Sequence, residues 1–384
     1  MKRTMKQARP LLPKKKELRQ LSQREAQPQK QEGQEQQQVN VNTDAELPSL
    51  AQERSVFSTI DENFGFLTSL LGVGMDMVQA KYCLAGGLLV GGGRIQVGIV
   101  YVDTMIDTQL VSSQIVEPLL KWKADSAVGP TNILTAIQTQ LVTIPKMTQS
   151  SNMSTLLDSL LTGSTLLFTE GQAVALIIGS GKAENRAITP PANEVTVSSA
   201  MDAFVEDLET NCSMLIRRLP SPDLCFEEFT LGRLSRTKVK LIWVKGVANE
   251  GIITEARGRI KAVDIDAVEG AGMLAELIQD SPLSLFQTIK QTQRPDLTAR
   301  FLAEGRFAIL CTASPYALTA PFTFWDNFKT MDDYSEKPVA ASYLRISRII
   351  AFFLGILIAP LYLSFVAYNH SIVPPTLAAA IAAG

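Results

Sequence analysis

Apolar and polar positions are arranged in three ways along this chain, and each arrangement predicts a different kind of element. The strongest is unbroken: Ile349 to Ala367 (IIAFFLGILIAPLYLSFVA) holds 19 residues without a charge, 12 of them Leu, Ile, Phe or Val. At about 1.5 Å per residue the run covers a hydrocarbon core of roughly 30 Å. Its composition favours insertion by about 4 to 7 kcal/mol before Gly355, Pro360 and Ser364 are discounted. A buried core helix rarely stays apolar on every face for so long, so the pattern predicts a transmembrane helix marked by Ile349, Phe353, Pro360 and Ala367.

The second arrangement is the short apolar run. Ile95–Val102 (IQVGIVYV) is too apolar for a one-sided strand, and a helix-like stretch from about Asp107 to Lys121 follows, a strand–helix unit. Thr165–Thr169 and Ala173–Ile178, split by Glu170–Gly171, predict a hairpin. Val239–Val244 (VKLIWV), a segment near Val263–Val268, Phe307–Cys311 and Tyr316–Ala320 also predict strands. The third arrangement has helical period. It predicts helices over Ser154–Leu161, about Asn249–Lys261, about Met273–Gln279, and Ala203–Leu219. The last places Phe204, Leu208, Leu215 and Leu219 on one face and ends at Pro220 and Pro222.

The scheme repeats. Val97–Asp103 (VGIVYVD) superposes on Val239–Lys245 (VKLIWVK), and Gly163–Leu176 on Gly305–Leu318, both at an offset of 142 residues. Two separate matches at one offset argue for a duplicated unit. The predicted fold class is therefore α/β: two similar subdomains, a transmembrane helix, and a disordered N-terminal arm. The expected divisions are the arm at 1–56, subdomain 1 at 57–198, subdomain 2 at 199–335, and a juxtamembrane and transmembrane helix at 336–368. The start of a second, incomplete membrane segment is expected at 369–384, and a hinge near Pro190–Ser199.

Charge sharpens this division. The net charge of −2 over 384 residues conceals a +8 balance within residues 1–30. That stretch and the Gln-rich run after it have almost no apolar content, so burial cannot offset their ordering entropy. Leu11–Leu12 is no secretory h-region. Lipid headgroups suit the basic arm better than nucleic acid does, because aromatic residues do not interleave its cations. Arg345 and Arg348 precede the apolar run and only His370 follows it, so the positive-inside rule places the N-terminal side in the cytoplasm. In that reducing compartment Cys83, Cys212, Cys225 and Cys311 read as buried thiols.

Candidate chemistry is sparse. With one histidine, His370, and no CxxC, neither a zinc site nor a Ser–His or Cys–His pair in the soluble part is expected. Gly179-Ser180-Gly181-Lys182 lacks the flanking residues of a phosphate loop, and Gly91-Gly92-Gly93 lacks dinucleotide spacing. Asp264 and Asp266 would share one face of a strand, where paired acids can hold Mg²⁺ but more often are simply solvated. No enzyme and no cofactor are expected.

Several blocks then resemble the A subunit of GerA-type spore germinant receptors. They are NCSMLIRR (Asn211–Arg218), FEEFTLGRLSRT (Phe226–Thr237), KAVDID (Lys261–Asp266) and LIQDSPLSLFQTIKQTQRPD (Leu277–Asp296). EGRFAIL (Glu304–Leu310), FTFWDNFKTMDDY (Phe322–Tyr334) and IVPPTLAAAIA (Ile372–Ala382) extend the resemblance. Within these blocks Ser281, Pro282, Arg294, Pro295 and Asp296 bracket a loop, with Asp296 a possible N-cap. The resemblance implies a membrane subunit of a germination complex in the inner membrane of bacterial spores, with its soluble domain on the cytoplasmic or core side. It implies transporter-like B-type and lipoprotein C-type partner subunits and a homo-oligomeric ring that passes ions. A sister branch associated with dipicolinate-channel proteins is not separated by sequence. Family members carry further spans, and this chain stops at Gly384, so an incomplete pore is expected. Two rival readings are a two-lobed small-molecule binding module anchored to the membrane, and an enzyme resting on Asp264 and Asp266.

Overall fold

The computed structural model describes residues 54–88, 94–122, 133–138, 144, 146–181, 194, 200–280, 284, 286–330, 333 and 337–368. The expected N-terminal arm, the Gly91–Gly93 turn and most of Pro190–Ser199 lie outside them.

Two five-stranded sheets with the same plan account for the α/β class. In the first, α1 (Ile60–Leu70), β1 (Met77–Leu88) and β2 (Arg94–Val102) are followed by α2 (Thr108–Val111), a wide turn at Ser112–Val116, and α3 (Glu117–Lys121). Then come α4 (Ile133–Ala136), β3 (Met147–Ser150), α5 (Met153–Leu161), β4 (Ser164–Thr169) and β5 (Ala175–Gly179). The second contains α6 (Leu208–Arg218), β6 (Leu224–Leu231), β7 (Thr237–Val244), α7 (Glu250–Lys261) and α8 (Ala271–Ile278). It ends with β8 (Lys290–Thr292), α9 (Pro295–Ala303), β9 (Phe307–Cys311) and β10 (Ala317–Ala320). The strand orders β1-β2-β4-β5-β3 and β6-β7-β9-β10-β8 coincide, and every pairing is antiparallel.

The 142-residue offset extends to the register. Val97 pairs with Thr169 and Val239 with Cys311; Leu167 pairs with Leu176 and Ile309 with Leu318; Ser150 pairs with Ala175 and Thr292 with Ala317. Gly163 and Gly305 both adopt positive φ, +89° and +86°. An added Cβ would stand 3.0 Å from the Met105 carbonyl oxygen in the first copy and 2.8 Å from that of Val247 in the second, again 142 residues apart. Met77 faces Val102 but Leu224 faces Val244, a first-strand offset of 147, so the first copy carries five extra residues between its first two strands. The helices before them match too. Buried Asn63 bonds the backbone N–H and carbonyl of Phe57, and buried Asn211 does the same to Val205, each reaching six residues back.

Burial explains why the strands read as continuously apolar. One core joins the inner faces of both sheets (Val100, Leu166 and Phe168 with Ile242, Ala308 and Leu310) through α1, α5, α6 and α9. Ile99, Leu167 and Ile178 face a second core that includes Val111, Ile115 and Leu119, and Leu241, Ile309 and Leu318 face a third that includes residues of α7 and α8. The inner strands β2, β4, β5, β7, β9 and β10 are thus covered on both sides, and a β-strand's alternation disappears when both faces are buried. Helix starts follow the sequence: Asn152, Asp207 and Asn249 accept backbone N–H groups of α5, α6 and α7.

Three expectations change. The helix read over Ala203–Leu219 begins only at Leu208, because Asp207 caps it and the Phe204 N–H bonds the Gln293 carbonyl instead. Val263–Val268 forms no strand: the Ile265 and Asp266 carbonyls accept from Arg233 and Leu234 in the β6–β7 turn, so their backbone is spent there. Asp264 and Asp266 consequently share no strand face. Both are exposed, and Arg233 pairs with Asp264 at 2.6 Å and lies 3.8 Å from Asp266.

The two sheets and their helices form one compact unit, and the chain from Thr323 onward belongs to a second. That second unit holds a short 3₁₀ helix (Phe324–Phe328) and α10 (Pro338–Tyr368), 31 residues long. Ile350, Phe353, Leu357 and Leu361 of α10 are all exposed.

Candidate functional site

Lys240 is the most unusual residue of the two-sheet unit. It stands in the middle of β7 on the face turned toward the central core, between Val239 and Leu241, and its side chain is 4% exposed. At the equivalent place in the first sheet stands Gly98, where any Cβ would come within 2.6 Å of Ile60 and 2.8 Å of Phe64. One copy thus fills this position from α1, and the other fills it with a cation. Lys240 Nζ lies 2.9 Å from Asp76 Oδ2, just before β1, and 2.9 Å from Glu209 Oε2 in α6. Burial opposes its charge, but its electrostatic surroundings, with Cys212 beside it and hydrogen bonds to Glu209 and Asp76, outweigh that and hold the ammonium's pKa above the ordinary lysine value. Burial pushes the neighbouring Cys212 thiol up as well, so it remains protonated. The cluster offers no thiolate at neutral pH; its arrangement is that of a charged clasp between the sheets.

The clasp is reinforced beside it. The Gly72 N–H bonds the Pro222 carbonyl at 2.6 Å, and the Phe226 N–H bonds that of Val73 at 2.8 Å, laying the segment before β1 along the start of β6. The pocket at Lys240, lined also by Met75, Thr104 and Phe226, is small, about 10 Å³.

The loop residues predicted from sequence divide. Ser281 and Pro282 lie outside the described residues. Arg294, Pro295 and Asp296 are brought together at the start of α9, Pro295 in the first turn and Arg294 at the N-cap, the position expected for Asp296. Arg294 is almost fully buried; its Nη2 lies 2.6 Å from Asp296 Oδ2, and its Nη1 donates to the Glu194 carbonyl at 3.2 Å. Thr292 Oγ1 donates to Glu194 Oε2 at 2.5 Å. These residues fix Glu194 against β8. Ser180 of the glycine-rich stretch is buried against Thr165 Oγ1 at 2.6 Å, which leaves it turned inward.

In the second unit, Arg345 and Arg348 converge on a residue that the sequence reading passed over, Asp333. The Arg348 guanidinium binds both carboxylate oxygens of buried Asp333 and donates to the Phe328 carbonyl at 2.6 Å; Arg345 Nε stands 3.7 Å from Asp333 Oδ2. Arg348 and the Thr330 N–H and hydroxyl hold the Asp333 carboxyl below the usual carboxylate range against its own burial. Ile349, Phe353 and Pro360 lie on α10 beyond this pair, and Ala367 lies within the same helix. Lys240 had one legible signal, a lysine inside an apolar run; Asp333, Asp76 and Glu209 had none, because their partners are distant in sequence. Among the described residues no three His, Cys, Asp or Glu side chains gather to hold a metal.

A duplicated, two-sheet α/β unit followed by a helix long and apolar enough to cross a membrane is the architecture these features define. The profile described as "Bacillus/Clostridium GerA spore germination protein" matches residues 67–384, and the chain belongs to that family. Spore germination protein KA of Bacillus subtilis (strain 168) is 28% identical over 76% of this chain and 53% of its own length. Spore germination protein GerQA of Bacillus cereus is 30% identical over 76% of this chain and 57% of its own length. The chain therefore spans just over half the length of these relatives. The crystal structure of the N-terminal domain of the A subunit of the Bacillus megaterium spore germinant receptor GerK3 is similar with a TM-score of 0.53 and 29% identity. The likeness covers 71% of this chain and 98% of that one.

Proposed function

We propose that this chain acts in spore germination as an A-type subunit of a germinant receptor, carried in the spore inner membrane by α10 with its two-sheet unit on the cytoplasmic side. The observation that carries this reading is the family match over residues 67–384, joined by likeness to nearly the whole of a receptor A-subunit domain. In this role the two-sheet unit is a transmitting and assembly part. Germinant binding in a B-type partner, with a C-type subunit present, would shift the arrangement of this subunit, and the Asp333–Arg348 pair would couple the chain before α10 to the helix. Ion release through an assembly of several copies belongs to the same reading.

The rival in which the cleft between the sheets holds a small molecule is disfavoured by magnitude. Ligand pockets run from about 300 to 1,000 Å³, whereas the pocket at Lys240 holds about 10 Å³, room for roughly one water, and its polar groups already answer one another. Disrupting the coding sequence in the source organism tests the proposal. Spores should lose their response to a defined set of nutrients and regain it on complementation, and the tagged chain should co-purify with B- and C-type subunits. An unchanged response to every nutrient set would refute it.

A further inference from the structure

The segment just before α10 carries an exposed tryptophan on a cluster of half-buried and buried phenylalanines. Trp325, in the Phe324–Phe328 turn, is 57% exposed. Its ring meets Phe324 edge-on at 5.4 Å and lies 6.1 Å from Phe328. Those two rings in turn pack on Phe352 of α10, at 5.8 and 5.3 Å. Phe352 stands three residues beyond Ile349, about 4.5 Å along the helix axis into the apolar run. The aromatic turn is thus fastened at the level where that run begins.

Its charges are answered within the unit. Asp326 accepts from the Thr323 N–H and hydroxyl and lies 2.7 Å from Lys329 Nζ; Asp333 takes Arg348 and faces Arg345. Two buried carboxylates therefore meet three cations. Over residues 323–348 the acids Asp326, Asp332, Asp333 and Glu336 equal the cations Lys329, Lys337, Arg345 and Arg348 in number, and what the turn presents outward is an indole and a phenyl edge. Such a surface suits the interfacial zone of a bilayer, where amphipathic rings sit at headgroup depth.

We infer that Phe324–Phe328 is a lipid-docking element, with Trp325 seated in the interfacial zone of the leaflet that α10 enters, so that the chain grips the membrane surface as well as crossing it. The inference rests on the reading of α10 as a membrane span. The Asp333–Arg348 pair is what holds the element at that depth, because Arg348 also bonds the Phe328 carbonyl that ends the turn.

The chain has three tryptophans, Trp122, Trp243 and Trp325, so the Trp122→Phe/Trp243→Phe variant reports on Trp325 alone. The full chain would be reconstituted in phosphatidylcholine–phosphatidylglycerol vesicles carrying a nitroxide either near the glycerol backbone or near the acyl-chain end. A second variant, with Trp325→Phe and Leu357→Trp added, reports on the span. Expected are loss of most Trp325 emission with the shallow label and little with the deep one, and the reverse for the Leu357→Trp reporter. Deep quenching of the Leu357→Trp reporter with Trp325 untouched by either lipid overturns the docking element and leaves the span standing. Protection of Trp325 from aqueous acrylamide under those conditions would assign the surface to a protein partner instead, which also overturns it. Trp325 quenched chiefly by the deep label overturns the interfacial placement. A Leu357→Trp reporter insensitive to both labels overturns the span itself, and the inference with it.

Discussion

A single lysine on an inner strand shows how this chain uses charge. Lys240 is buried, while Asp76 and Glu209 remain 48% and 45% exposed, so the two acids keep their hydration and the ammonium depends on them. Asp76→Asn with Glu209→Gln should destabilise the folded chain by about 3 kcal/mol, the low end for orphaning a buried charge because both partners reach solvent. Adding Lys240→Met should return stability to within about 1 kcal/mol of the parent, since a buried ion pair exchanged for apolar packing is commonly neutral. Urea unfolding of the detergent-solubilised chain checks both, and a triple variant as weak as the double would show that the clasp is not electrostatic. Asp333 gives a pH signature. Its folded pKa is depressed, chiefly by Arg348, so its contribution is fully present above the ordinary carboxylate value of about 3.9 and disappears as pH falls through the lower folded value. Acidification below about pH 4 should loosen the turn on α10, read as a shift in Trp325 emission, and Asp333→Asn should show the loosened emission already at neutral pH. A parent-like emission from Asp333→Asn at neutral pH would show that the Asp333–Arg348 pair does not hold the turn on α10.

At the scale of elements, the sequence revealed the strands that are buried on both faces and concealed those that are not. Val239–Val244 and Phe307–Cys311 read correctly because continuous apolar runs of that length have few alternatives. Leu224–Leu231 was missed because its acidic pair, Glu227 and Glu228, interrupts the run at a sheet edge, where Arg257 and Lys238 answer them. The three-residue β8 exists only through its pairing with β10, which no local pattern reveals. Val263–Val268 failed the other way: its β-branched residues are real, but a neighbouring turn claims their backbone. The 142-residue repeat was legible in two strands, and the rest of the ladder keeps the same register under different side chains. That conservation of geometry makes a paired prediction. Gly163→Ala and Gly305→Ala should each cost about 1 to 3 kcal/mol, from the left-handed backbone and the carbonyl each Cβ would meet. Gly171→Ala, at φ +82° but facing open space, should cost only the backbone share. Thermal unfolding of the three variants distinguishes close approach from φ alone. Equal losses at all three would mean that the carbonyl contacts carry nothing.

Across the whole molecule, the positions of charge decide which side of a membrane the two-sheet unit occupies. Lys337, Arg345 and Arg348 lie within twelve residues before Ile349, whereas no lysine or arginine occurs between Ala367 and Gly384. The Asp333 carboxylate neutralises Arg348 in the folded chain, but orientation follows the lysines and arginines flanking a span, and acidic residues contribute little to it. The buried pair therefore lowers the cost of keeping Arg348 beside an apolar phase without weakening the orienting bias of these cations. An arginine drawn to the bilayer centre costs about 2.5 to 3.5 kcal/mol even on the mildest scale, which opposes any sliding of the helix that would carry Arg345 or Arg348 into the core. A cysteine introduced at Ser342, in a background where Cys83, Cys212, Cys225 and Cys311 are replaced by alanine or serine, should resist a membrane-impermeant thiol reagent added outside intact cells. One introduced at Ser371 should react. Three of the native thiols are buried and Cys83 is exposed, so the replacement at Cys83 matters most for a clean background. Labelling at Ser342 with protection at Ser371 would place the two-sheet unit outside the cytoplasm, where a subunit that relays a partner's binding event from the inner face could not act.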